Sequence, residues 1–318
     1  MFQFTNRGSQ LMNGTSMACP HTAGALALLL SGLKQKSLAF SPFSVKRALI
    51  ASAKKLQNVC HYAQGHGLLQ VEAAFEHLAK YEQGQDRDVR FIVQCANGSK
   101  GIHLRDAYED KVTEIPVKVE PCFLDNDNVC NEDKVAFNVR LNMACSEAWV
   151  KHPKHLDLMF SARHFLVQVD PTGLEPGVHS AYVKAFDALN PDKGALFEVP
   201  ITVVRPEPLL LQPRPYLEAK EVIFAPGDIK RHFVKAPEGS SWALIKVISN
   251  EKAATGKFVL HTVQLCPSKS VMNLNFEKMF SLSENGEWSY AIPVLPGQVV
   301  EFCLAKWWAN LGHVKVGF

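Results

Sequence analysis

The spacing of apolar residues divides the chain into one helical stretch followed by two stretches of alternation. Ala23, Leu26, Ala27 and Leu30 recur at i, i+3, i+4 and i+7, while Ala25, Leu28 and Leu29 fill the opposite side. A helix that follows Ser16 is therefore apolar all round and is expected to be buried. A second helix is expected from Ser41-Pro42, a capping residue followed by proline at the first helical position, with Val45, Ala48, Leu49, Ser52 and Leu56 along it. A third runs through Val71, Ala74, Phe75 and Leu78, after the turn-forming Gly65-His66-Gly67.

Near residues 82–86 the period changes from helical to alternating. Val135, Phe137, Val139 and Leu141 alternate with polar residues, as do Phe165, Val167 and Val169, and then Phe197, Val199 and Ile201. Asp170-Pro171-Thr172-Gly173 supplies turn chemistry between two such runs. A β-sandwich is expected over residues 83–205. Prolines 206, 208, 213 and 215 predict a stiff connector, because proline cannot donate to a ladder and favours extended chain. A second all-β region is expected over 206–318, with strands at Trp242–Ile248 and Phe258–Leu265 and turns at Pro293, Pro296 and Gly297. The chain stops within the strand-like run His313-Val314-Lys315-Val316, so this last domain is expected to be truncated or incomplete.

Composition narrows the function classes. Hydrophobic residues at 47%, charged residues at 20% and a mean hydropathy of −0.04 over 318 residues describe globular domains rather than disorder. The net charge of +3 is small and its cations are scattered, which excludes a nucleic-acid face. Met1-Phe2-Gln3-Phe4 lacks a secretory pattern. The longest unbroken apolar run, Ala25 to Leu30, is shorter than the ~20 residues a bilayer needs, so no membrane partner is expected. Eight cysteines without C-x-x-C pairs predict buried, reduced thiols and a cytoplasmic protein. The sequons Asn13-Gly14-Thr15 and Asn97-Gly98-Ser99 would matter only after secretion.

Candidate chemistry is concentrated in residues 12–30, MNGTSMACPHTAGALALLL. The backbone N–H of a serine at the start of a helix points out of the helix end, where negative charge is stabilised, and such a donor can hold the oxyanion of a tetrahedral intermediate. Gly14 leaves the approach to Ser16 open to a peptide backbone. Pro20 is acceptable because the first turn needs few internal donors, and Ala23, Gly24 and Ala25 allow the close packing that would aim the hydroxyl. Taken alone, Gly-Thr-Ser before a helix is an ordinary cap.

The longer string is more specific. G-T-S-M-A-x-P-H-x-A-G, preceded by Asn13, resembles the nucleophile motif of the subtilisin family, and Gly65-His66-Gly67-Leu68-Leu69-Gln70-Val71-Glu72-Ala73-Ala74 resembles that family's closing glycine turn and last helix. The resemblance narrows to the tripeptidyl-peptidase II family through Ser31-Gly32-Leu33, Pro200-Ile201-Thr202, Ile229-Lys230-Arg231-His232-Phe233, Lys257-Phe258-Val259-Leu260-His261 and Trp307-Trp308-Ala309. It implies a multidomain chain: the C-terminal part of an α/β subtilisin-like domain over 1–82, an immunoglobulin-like β domain over 83–205 and a galactose-binding-like β domain over 206–318. It also implies a cytoplasmic serine exopeptidase of large homo-oligomeric assembly, acting on oligopeptide substrates. Ser16 is then the nucleophile, with Asn13, Gly14 and Thr15 facing the bound peptide. Cys19 and His21 depart from the small or polar residues common at their positions, without touching the role of Ser16.

A serine hydroxyl needs a base, and the base a carboxylate to fix its tautomer. In subtilisins both precede the serine, so with only 15 residues ahead of Ser16 the chain is expected to be a fragment, inactive alone. His21 is aimed by its helix, His66 sits between turn glycines, and His152 and His155 flank Pro153 in an expected loop without a ligand set around them. Trp307-Trp308 is expected in a core or interface. No metal and no cofactor is expected. Two functions of different class remain: a tripeptide-releasing serine peptidase acting through an acyl-enzyme at Ser16, and a catalytically inactive β-domain module of homo-oligomer assembly.

Overall fold

A computed structural model of the protein describes residues 12, 14–105, 111–125, 128–211, 214–249, 256–264, 266, 274–283 and 286–318. The chain divides into two compact units, Met1–Gly101 with Glu114–Gln168 and Tyr182–Pro200, and Ile102–Thr113 with Val169–Ala181 and Ile201–Phe318.

The first unit opens with helices α1 (Thr15–Gln35), α2 (Pro42–Ser52), α3 (His61–Gln64) and α4 (Val71–Lys80). Ser41 caps α2 as its Ser-Pro start predicts: its hydroxyl accepts the Ser44 N–H at 3.1 Å while the Ser44 hydroxyl accepts the Ser41 N–H at 2.9 Å. The apolar stripes of three helices meet in one core, with Leu29 and Leu33 from α1, Val45 and Ala48 from α2, and Ala74 and Leu78 from α4. Gly32 permits this approach, since a Cβ there would lie 3.3 Å from the Phe75 ring. Between α2 and α4 the strand pairing is a single bridge, Lys54 with Leu68, and the Gln64 amide ties the intervening loop to the backbone of Leu56 and Val59.

The burial expected all round α1 is not found. Only Leu29 and Leu33 are buried, the residues from Gly14 to Gly24 are exposed, and Leu28 is 67% exposed. The reason is geometric: α2 and α4 cover the C-terminal half of α1, and its N-terminal half runs beyond them. By length and composition α1 is also long and apolar enough to cross a membrane, which the unbroken run Ala25–Leu30 alone does not suggest.

Alternation then sets the sheets. Strands β1 (Val89–Gln94), β2 (Ile102–Leu104), β3 (Thr113–Phe123), β4 (Asn138–Ala144), β5 (Val150–Lys151), β6 (His155–Met159), β7 (Arg163–Val169), β8 (Gly177–Asp187) and β9 (Ala195–Arg205) form two sheets, ordered β1-β3-β7-β5 and β2-β9-β8-β4-β6. Phe91 of β1 meets Phe197 of β9 with ring centroids 6.0 Å apart. The turn at Asp170 forms as expected, its carboxylate accepting the Thr172 N–H at 3.0 Å and Gly173 taking φ +82°. Val135 departs from its alternating pattern: it lies in helix α5 (Asn131–Ala136), exposed to solvent, and the strand begins only at Asn138. Cys130 starts that helix by accepting the Asp133 N–H on its sulfur at 3.4 Å, with Glu132 and Asp133 at the positive end of the dipole.

In the second unit, β10 (Val222–Phe224), β11 (Ile229–Lys235), β12 (Trp242–Ser249), β13 (Gly256–Gln264), β14 (Asn275–Leu282), β15 (Glu287–Pro293), β16 (Val299–Lys306) and β17 (Val314–Gly317) form the sheets β10-β17-β12-β15 and β11-β16-β13-β14. Their shared core is aromatic and aliphatic, with Phe224 edge-on to Phe258 at 5.5 Å and Leu260, Leu304 and Val316 fully buried. The closing run of the chain, β17, pairs on both sides, with β10 and β12. The proline-rich stretch is not a free connector: Glu207 bridges to Val234 and Leu210 to Tyr216, because the residues between the prolines still offer donors.

One polar cluster ties distant parts of the first unit together. Asp86, with a side chain only 6% exposed, receives Lys193 on one oxygen and Arg47 at 2.9 Å on the other. Arg47 also donates to the carbonyls of Asp86 and of Val89, the latter at 2.6 Å. Removing the shared anion leaves two buried cations, so Asp86→Ala is expected to destabilise the first unit by about 3–5 kcal/mol, whereas Lys193→Met leaves the Arg47 pair intact and is expected to cost about 1–2 kcal/mol. Urea unfolding of the 318-residue chain, followed through the transition of this unit, checks the order of the two.

Candidate functional site

Ser16 is the second residue of α1. The helix begins at Gly14, whose φ of +148° and ψ of 163° form a conformation that glycine enters freely. A Cβ there would find its nearest neighbour, the Met17 sulfur, at 3.8 Å, so backbone conformation rather than space is what selects glycine. The Gly14 carbonyl accepts the Met17 N–H at 3.0 Å and the Ala18 N–H at 3.2 Å. Among the described residues no side chain caps the helix. The N–H groups of Thr15 and Ser16 precede the first intrahelical donor, Met17, and face outward from the positive end of the helix.

Gly14, Thr15 and Ser16 are thus brought together on an exposed helix end, while Asn13 lies outside the described residues. Pro20 is the sixth residue of α1 and not part of its first turn. Its missing N–H would have bonded the carbonyl of Ser16, so the proline frees that carbonyl without ending the helix. Thr22 returns a hydroxyl bond to the Ala18 carbonyl at 3.0 Å. Among the described residues the Ser16 hydroxyl makes no hydrogen bond.

No histidine is placed against Ser16 among the described residues. His21 and His66 are exposed. His155 bonds the Asn142 side chain at 2.9 Å at the start of β6, a strand rather than the expected loop, and His152 bonds the Pro153 carbonyl at 2.8 Å. The described residues contain no cluster of three metal-ligating side chains. Trp308 is exposed and so is not a core residue of the described chain, while Trp307 carries the Lys257 ammonium 5.5 Å from its ring centre. All eight cysteines are free thiols, but only Cys95 and Cys303 are buried, and Cys19, Cys60 and Cys130 are exposed; their apolar character is outweighed where they fall on helix ends and loops.

A small cavity is lined by Ser44, Arg47, His77, Leu78, Tyr81, Asp86, Arg87 and Lys193, of which the helical pattern singles out only Leu78. Its members come from three separated stretches, and nothing in their local spacing signals that they meet. His77 lies 2.7 Å from the Lys193 carbonyl through Nε2. Burial pushes the His77 imidazole and the Arg47 guanidinium below their ordinary values, partly opposed for Arg47 by the adjacent Asp86.

Three family models match the chain in succession: the subtilase family over residues 2–67, the first Ig-like domain of tripeptidyl-peptidase II over 89–204, and the galactose-binding domain-like region of the same peptidase over 224–312. A tripeptidyl-peptidase 2 of Drosophila melanogaster is 44% identical across 98% of this chain and 23% of its own length. One of Arabidopsis thaliana is 31% identical across 96% of the chain and 22% of its own. The crystal structure of a tripeptidyl peptidase 2 superposes with a TM-score of 0.90 and 44% identity, covering 96% of this chain and 26% of that one. The chain thus spans about a quarter of the relatives it matches, and over that span it belongs to the tripeptidyl-peptidase II family of subtilisin-like serine peptidases.

Proposed function

We propose that this chain is the nucleophile-bearing fragment of a cytoplasmic serine exopeptidase that releases N-terminal tripeptides from oligopeptides. The observation that carries the reading is Ser16 on the exposed, uncapped N-terminus of α1, directly behind a glycine-specific turn, in a chain of this family. In the reaction the Ser16 Oγ attacks the scissile carbonyl and its proton passes to a histidine. The tetrahedral intermediate collapses to an acyl-enzyme as the amine leaves with that proton, and water then releases the tripeptide. The outward N–H of Ser16 donates to the oxyanion, reinforced by the helix dipole. Gly14 and Thr15, with Asn13, border the peptide. The histidine and its carboxylate come from polypeptide corresponding to the part of the relatives that this chain does not span, and the bare N-terminal half of α1 is the surface such polypeptide would cover.

A second reading, assembly without catalysis, is favoured by the apolar outer residues at the start of β12. Leu244, 72% exposed, stands opposite Ala291, and the exposed Trp242 opposite Pro293. Such a patch suits self-association.

Two experiments follow. A fusion of the upstream part of the Drosophila relative to this chain is expected to release N-terminal tripeptides, and Ser16→Ala to lower its kcat by on the order of 10⁴ or more. The 318-residue chain alone is expected to show no turnover. Full turnover in the Ser16→Ala fusion would sink the catalytic reading. For assembly, sedimentation of the chain is expected to show concentration-dependent self-association that Leu244→Glu abolishes; a monomer at all concentrations contradicts the second reading.

A further inference from the structure

The segment Asn190–Gly194 is seated against α2, α4 and Asp86 by four separate contacts. A Cβ on Gly194, whose φ is +87°, would lie 2.9 Å from the Ala51 Cβ, so the backbone passes directly over the end of α2. Lys193 sends its ammonium into the Asp86 carboxylate, Lys80 of α4 pairs with Asp192, and His77 of α4 meets the Lys193 carbonyl at 2.7 Å. A carbonyl only accepts, so Nε2 of His77 carries the hydrogen. In the neutral imidazole Nδ1 is then a bare lone pair. That atom is buried and has no hydrogen-bond partner among the described residues.

Protonation would therefore be opposed twice. It would turn Nδ1 into a buried donor without an acceptor, and it would add a cation beside Arg47 of α2 and Lys193 of the loop. The facing anion is Asp86, already engaged by both of those cations, while Arg87 is held by Asp88 and Lys80 by Asp192. The remaining titratable neighbour is Tyr81, whose ring centre lies 4.9 Å from that of His77.

We propose that His77 is a proton-sensitive latch: the buried neutral imidazole favours the seated 190–194 loop, and its protonation weakens that seating. Burial, with the charges of Lys193 and Arg47, holds the native imidazole below its ordinary value, the Lys193 carbonyl opposing in part. The sign follows from the linkage. Below the ordinary histidine value of about 6.5 the released state binds a proton that the seated state does not, so seating weakens as pH falls, by at most about tenfold per pH unit until the native value is reached.

Hydrogen exchange of the Lys193 and Gly194 amides in the 318-residue chain tests this, with protection factors expressed relative to amides of β13. The ratio is expected to fall severalfold from pH 7 to pH 5.5. In His77→Gln, whose amide can still donate to the Lys193 carbonyl but does not titrate, it is expected to stay flat. A flat ratio in the unaltered chain, or the same fall in His77→Gln, overturns the latch. Should His77→Gln fail to fold, NMR titration of the His77 ring in the unaltered chain decides: a midpoint below about 6.5 supports the proposal, and one at or above it overturns it.

Discussion

A buried carboxylate must be matched by cations, and at Asp86 that requirement organises the first unit. Its two cations come from α2 and from a loop more than a hundred residues later, and neither is free to leave without stranding charge in a dry site. Gly84 is part of the same constraint, because a Cβ there would come within 2.6 Å of the Lys193 nitrogen and 2.9 Å of an Asp86 oxygen. Next to it the Ser41 hydroxyl, while capping α2, also donates to the Arg87 carbonyl, so the start of α2 and the entry to β1 are held by one side chain. With α2 and α4 fixed, their apolar stripes give Leu29 and Leu33 of α1 a defined seat.

That chain of supports bears on Ser16 because a helix is stiff. Fixing the C-terminal half of α1 sets the direction of its N-terminal half, which runs beyond the helices that hold it. The far end presents outward N–H groups, a hydroxyl without a partner among the described residues, and a glycine turn. Those are the elements that the proposed function assigns to a nucleophile and its oxyanion donor, with no base beside them among the described residues. The same helix then has two regimes: packed where the described chain supplies a core, and bare where the resemblance to subtilisins calls for further polypeptide.

Much of this was legible in the sequence where a single local rule decides. Ser41-Pro42 announced a capped helix, Asp170 to Gly173 a turn, and the alternating runs at Phe165 and Phe197 strands, because each depends on neighbours in the chain. The role proposed for Ser16 rests on the length of its motif rather than on any single local rule. Apart from Val135, what failed depended on distant partners. Val135 alternates like a strand residue, yet the Cys130 cap and two acidic residues in the first turn favour a short helix there. The all-apolar pattern of α1 promised burial, but burial needs something to cover the face, and α2 and α4 reach only half of it. Nothing in the sequence signals that Lys193 and Asp86 pair, because only the fold brings them within reach of each other. The Asp86 cavity was invisible for the same reason.

The central claim is that Ser16, and no other hydroxyl of this chain, becomes the nucleophile once its missing partners are present. Peptide mapping of the fusion with the Drosophila upstream region after reaction with a fluorophosphonate tests it most directly. One phosphonyl group on the peptide containing Ser16 is the predicted result, and an adduct on any other residue, with Ser16 unmodified, would contradict it.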